Sequence, residues 1–130
     1  MPTTYAIPNG ANYMNALLYT GTGVLTTRTG LALTSAPGVV WIKSRSYGDN
    51  HALEDSVVGT GSVRYPNLTT ADGNTGGGWI QNLSTTGFST DVNTTINTNS
   101  ATYVAWAWAG GGAAVSKTAG LRSEEHTSEL

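Results

Sequence analysis

Along this chain the hydrophobic positions come in short runs that alternate with polar ones, and no run has a sustained helical repeat. The clearest is VVWIKSRS at 39–46, where Val39, Trp41 and Lys43 share one face and Val40, Ile42 and Ser44 the other. ATYVAWAWA at 101–109 alternates strictly, with Val104, Trp106 and Trp108 opposite Tyr103, Ala105 and Ala107. Shorter runs fill in the rest. MNALLYTG (14–21) reads as a strand closed by Gly-Thr-Gly, with a helix still open for its Ala-Leu-Leu part. VLTTRT (24–29) and LALTS (31–35) are short strand-like runs separated by Gly30, and a turn-rich tip at 47–50 is followed by the segments HALEDSVVG (51–59) and SVRYPNLT (62–69). WIQNL (79–83) and GFSTDV (87–92) read as a hairpin, ADGNTGGG (71–78) as a long turn, and NTTINTNS (93–100) as a polar loop. Short strands with turn signals roughly every eight to twelve residues predict an all-β sandwich or barrel.

Composition supports that pattern and narrows the function classes. At 130 residues the chain supports one domain with a modest core, and 11% charged residues is too few for charge-driven disorder. There is no cysteine, hence no disulfide framework and no thiolate metal site. Within residues 1–121 the bases Arg28, Lys43, Arg45, Arg64 and Lys117 balance the acids Asp49, Glu54, Asp55, Asp72 and Asp91. A neutral body has no field to steer it to nucleic acid or an anionic membrane. The longest apolar stretches, such as VVWI at 39–42, are far short of a membrane span, and MPTTYAIPNG carries no signal-peptide pattern.

Candidate chemistry is sparse. His51 stands near Glu54, Asp55 and Ser56, but zinc needs three or four ligands and residues 1–121 hold no second histidine. No nucleophile elbow surrounds Ser56, and Glu54 and Asp55, being adjacent, must point to opposite strand faces. Asp72-Gly73-Asn74-Thr75-Gly76 begins like a calcium loop without the ligands that would complete one, so a plain turn is favoured. No catalytic residue, metal or cofactor is assigned. Of the four tryptophans, Trp106 and Trp108 are expected to fill the sandwich with Val104, and Trp41 likewise. Trp79, directly after three glycines, has the best case for exposure, although buried aromatics dominate small cores. It gives a candidate sugar-stacking site with Asp72, Asn74 and Asn82 as polar contacts.

The ordered elements NYMNALLYTGTG (12–23), PGVVWIKSRS (37–46), HALEDSV (51–57), NLT (67–69), TTGF (85–88) and SATYVAWAWAGG (100–111) resemble a domain of phage and environmental viral proteins. The resemblance covers nearly all of residues 5–116. It implies a concanavalin-like or jelly-roll antiparallel β-sandwich in virion, tail or tail-fibre proteins, often following a SPRY-like domain, and it implies no catalytic residues. Three positions depart from the pattern, and the stretch Gly76 to Gly78 is more glycine-rich than it. Val58 stands where an arginine usually follows D-S-V, Pro66 replaces a serine before N-L-T, and Ala109 replaces a base after the last tryptophan. If that arginine anchors a carboxylate such as Asp55, the anchor is either absent here or supplied by Arg64.

RSEEHTSEL at 122–130 matches, residue for residue, one reading frame of a common DNA sequencing adapter, AGATCGGAAGAGCACACGTCTGAACTC. The expected organisation is therefore an extended lead-in over 1–12, the sandwich over 13–116, a linker over 117–121, and a disordered adapter-derived tail over 122–130. The chain then reads as a fragment of a longer viral protein. The expected function is a non-catalytic virion module, extracellular, contacting a bacterial surface glycan or protein and neighbouring virion domains, with no nucleic-acid partner and no membrane insertion. A structural spacer of an appendage is the alternative, and a glycan-active enzyme ranks last.

Overall fold

A computed structural model describes residues 9–70, the backbone of 73–74, and residues 79–110. Among the described residues nine strands are defined: β1 (Met14–Thr20), β2 (Thr26–Thr29), β3 (Pro37–Ser44), β4 (Ala52–Asp55), β5 (Ser62–Val63), β6 (Gly73–Asn74), β7 (Ile80–Ser84), β8 (Gly87–Thr90) and β9 (Thr102–Ala109). They form an antiparallel sheet of order β1-β9-β3-β4, a second of order β2-β8-β7, and the small pair β5-β6. The chain is an all-β sandwich of two antiparallel sheets. The 14–21 run is strand, as the glycine that follows it favours, and the hairpin over 79–92 forms. Among the described residues no helix is long and apolar enough to cross a membrane.

Three local readings need correction, the first being the turn expected over 71–78, within which Gly73 and Asn74 form β6 against Ser62 and Val63. The 93–100 segment contains one helical turn, α1 (Thr94–Asn97), because the Asn93 side chain caps it by accepting from the Thr95 N–H. The 31–35 run is not a strand. Leu31 and Leu33 are nevertheless buried, and their N–H groups donate to the Thr86 and Thr85 carbonyls. An alternation of buried leucines was therefore real, but it packs without a ladder partner.

The core lies between the two sheets. Val40, Ile42, Ala52, Tyr103, Ala105 and Ala107 face Phe88, Ile80, Ile96 and Trp79. On β9 the inward residues are thus Tyr103, Ala105 and Ala107, while Val104, Trp106 and Trp108 point outward, the reverse of the expected arrangement. Small alanines serve the inner face because the opposite layer already supplies large side chains.

At one end of the sandwich a polar knot ties loops to strands. The buried Arg28 guanidinium lies 4.4 Å from the centre of the Tyr19 ring, which stacks on Tyr103 at 5.1 Å. Arg28 donates to Thr90 Oγ1 (3.0 Å), the Thr20 carbonyl (2.8 Å) and Asn97 Oδ1 (2.7 Å). The fully buried Asn97 amide donates in turn to the carbonyls of Val24 and Asp91. Every partner of this cation is neutral, and burial pulls its affinity for the proton below the ordinary arginine range.

Candidate ligand-binding face

Antiparallel register decides which side chains meet on the outer side of the four-stranded sheet. Trp106 pairs with Trp41 on β3 and Ala16 on β1, and Trp108 pairs with Val39 and Met14. Alternate residues share a face, so the three outward tryptophans gather on two adjacent rows. Trp41 and Trp106 meet edge to face at 6.2 Å, and Trp41 meets the His51 ring at 5.7 Å. The Trp41 Nε1–H donates to His51 Nδ1 at 2.9 Å, so that nitrogen is the unprotonated one in this arrangement. The His51 backbone is held from outside the sheet, its N–H donating to Asn67 Oδ1.

Met14, Trp41, His51, Trp106 and Trp108 line an open cleft of about 340 Å³. That is at the small end of the roughly 300–1,000 Å³ typical of small-molecule sites. Neither a carboxylate nor a Lys or Arg side chain lines it. The cleft offers aromatic faces, a thioether and one imidazole, a surface suited to stacking an uncharged ring with a polar rim.

The sequence candidates fare differently. Trp79 is 2% exposed and packs edge to face on Tyr65 at 6.0 Å, so it is a core residue and not a stacking platform. The physical reason is β7 itself, whose first residue, Ile80, is fully buried in the inter-sheet core beside it. Asn82 is exposed, with φ of 50° at the β7 irregularity, and donates to Ser89 Oγ at 3.3 Å. It shares no site with the buried Trp79. Asn74 belongs to β6, where it pairs with Ser62, and Asp72 lies outside the described residues. Of the calcium-like turn at 72–76, only Gly73 and Asn74 are described, as strand β6, and Thr75, Gly76 and the residues from 111 onward lie outside the described residues.

Sequence reasoning missed Met14, Trp41, His51, Trp106 and Trp108 as a group. A signal existed. Lys43 shares the face of Trp41, and a lysine marks that face as solvent-facing. Once β3 pairs with β9, that face carries Trp106 and Trp108 too.

The two adjacent acids separate as expected. Glu54 points inward, its carboxylate accepting from the Ile80 N–H (3.2 Å) and the Gly61 N–H (3.3 Å), and burial raises its pKa despite those bonds. Asp55 points outward and accepts from the N–H groups of Val57 and Val58. The Val58 N–H, and after it the pairing with Arg64, hold its carboxyl below the ordinary aspartate range. Arg64 is thus the residue that pairs with the Asp55 carboxylate. Among the described residues no three His, Asp or Glu side chains cluster closely enough to share a metal ion.

Fold and face together define a two-sheet antiparallel β-sandwich bearing an uncharged aromatic cleft on the outer side of its larger sheet. The chain belongs to the family described as Domain of unknown function (DUF7483), whose model matches residues 9–127. No curated protein and no solved structure matches it.

Proposed function

We propose that this domain is a non-catalytic glycan-binding module of a phage virion protein, a tail, tail-fibre or decoration component that contacts the bacterial surface from outside the cell. The observation that carries the binding part is the Met14, Trp41, His51, Trp106 and Trp108 cleft. Apolar sugar faces sit on indole rings, and an uncharged lining favours neutral saccharides over anionic ones. The virion setting rests on the resemblance of the ordered sequence elements. Catalysis is left aside because the two adjacent carboxylates stand on opposite faces of β4, each engaged by backbone N–H groups.

The test is a glycan array carrying bacterial surface polysaccharides and neutral oligosaccharides, probed with the wild type and with Trp106→Ala. Binding by the wild type that is lost in the variant supports the reading. Wild-type binding that survives in Trp106→Ala, or release of shortened chains from the array, counts against it.

A second reading has its own observation. Leu18, 63% exposed, and Val104 continue the apolar outer face beyond the cleft. A face of that kind also fits a spacer that packs on a neighbouring virion domain. Defined self-association blocked by Leu18→Lys, without any glycan binding, would favour that role.

A further inference from the structure

Resting on the glycan-binding reading, we propose that this face takes an internal stretch of an extended, uncharged polysaccharide, with saccharide units on both sides of Trp108. Trp108 is 37% exposed and is a wall common to two clefts. One is the aromatic cleft. The other, about 420 Å³, is lined by Gly38, Val39, Asp55, Val57, Ala109 and Gly110. Both are open clefts and not enclosed cavities, and they share the Trp108 wall, so one extended chain lying over that indole would reach both. Register places them in line, because Met14, Trp108, Val39 and Asp55 form one row across β1, β9, β3 and β4. The row of Trp106 and Trp41 lies two residues away, about 7 Å along the strands.

The two clefts differ in chemistry as a pair of saccharide subsites should. The first is aromatic and holds a ring by stacking. The second combines the other side of the Trp108 indole with aliphatic residues and one carboxylate, which accepts and cannot donate. Asp55 Oδ1 already receives the N–H groups of Val57 and Val58, and Oδ2 pairs with Arg64. A carboxylate has about four acceptor positions, so one more donor, such as a sugar hydroxyl, can be received on Oδ2. An acidic sugar would instead meet this carboxylate, which selects for neutral units there. Neither cleft is an enclosed cavity, so seating a saccharide unit in it does not require a chain terminus.

The test is an NMR titration of the full chain with methyl glycosides and with cello-, malto- and N-acetylchito-oligosaccharides of two to six units. The same hexamers reduced at their reducing ends complete the set. In the series that binds, affinity should rise at least about tenfold from the single sugar to the longer oligomers, and the reduced hexamer should bind equally well. Val57→Arg, a long side chain on an exposed turn at the second cleft, should cancel that gain and leave the affinity for the single sugar unchanged. Length-independent binding, or binding that needs a free end, overturns the inference alone if Trp106→Ala still abolishes it. Binding by none of the three series overturns the glycan reading as well.

Discussion

Trp79 separates a packing role from a binding role. Its indole is 2% exposed, and its Nε1 is buried with no hydrogen-bond partner among the described residues. Truncation to alanine therefore loses no hydrogen bond. It loses the transfer energy of a large ring and leaves a cavity beside Tyr65, together about 3–5 kcal/mol. That is a large part of the roughly 5–15 kcal/mol that a domain of this size has. With a urea slope of about 2 kcal/mol/M, the unfolding midpoint should fall by about 2 M. Trp79→Phe is expected to behave quite differently. It gives up part of the ring's packing, but it also removes an unpartnered buried N–H whose desolvation costs about 1–3 kcal/mol. The two effects oppose each other at similar size, so its midpoint should stay within about 1 M of the wild type. Urea titration followed by far-UV circular dichroism measures both. A Trp79→Ala cost below about 1 kcal/mol would refute the core assignment, as would loss of glycan binding in a Trp79→Phe variant of undiminished stability.

Other substitutions test separate parts of the structure. Burial raises the Glu54 pKa, so the folded state holds that proton more tightly than the unfolded state. Its contribution to stability is then present at low pH and is lost as pH rises from the ordinary glutamate range through the folded value. Glu54→Gln should flatten that stretch of the urea midpoint plotted against pH, and an unchanged profile would contradict the assignment. Asp55 has the opposite sign, its stabilisation being present above the ordinary aspartate range and lost as pH falls through the lowered folded value. Arg64→Ala should weaken it by about 0.2–1 kcal/mol, since both partners are partly exposed, and a larger midpoint change would mean that Arg64 does more than pair with Asp55. Gly87→Ala should prevent recovery of folded protein, because a Cβ there would overlap the Arg28 carbonyl oxygen, and a stable, soluble variant would disprove that close approach.

The strand pattern was largely legible because a period of two survives in short runs. The runs at 39–46 and 101–109 became β3 and β9, and the 79–92 hairpin formed. What periodicity cannot say is which side of a strand faces in, and β9 shows the consequence. Val104, Trp106 and Trp108 are the more hydrophobic set, yet Tyr103, Ala105 and Ala107 are inside. The inner choice is set by the partner layer, where Phe88, Ile80 and Trp79 already occupy the space, and that is a property of the assembled sandwich. The site was missed for the same reason. Its members come from β1, β3, β9 and the residue before β4, and only the register joins them. The separation of Glu54 from Asp55 was legible because adjacency on a strand alone decides it.

The most direct test of the outward indole cleft as the binding surface is the affinity of Trp106→Ala for the array glycan that the wild type binds best. It is measured beside Trp79→Phe, with both variants shown to be folded by circular dichroism. Affinity should fall at least about tenfold for Trp106→Ala and stay at the wild-type value for Trp79→Phe. Equal affinity in Trp106→Ala and the wild type, or loss in Trp79→Phe alone, would contradict it.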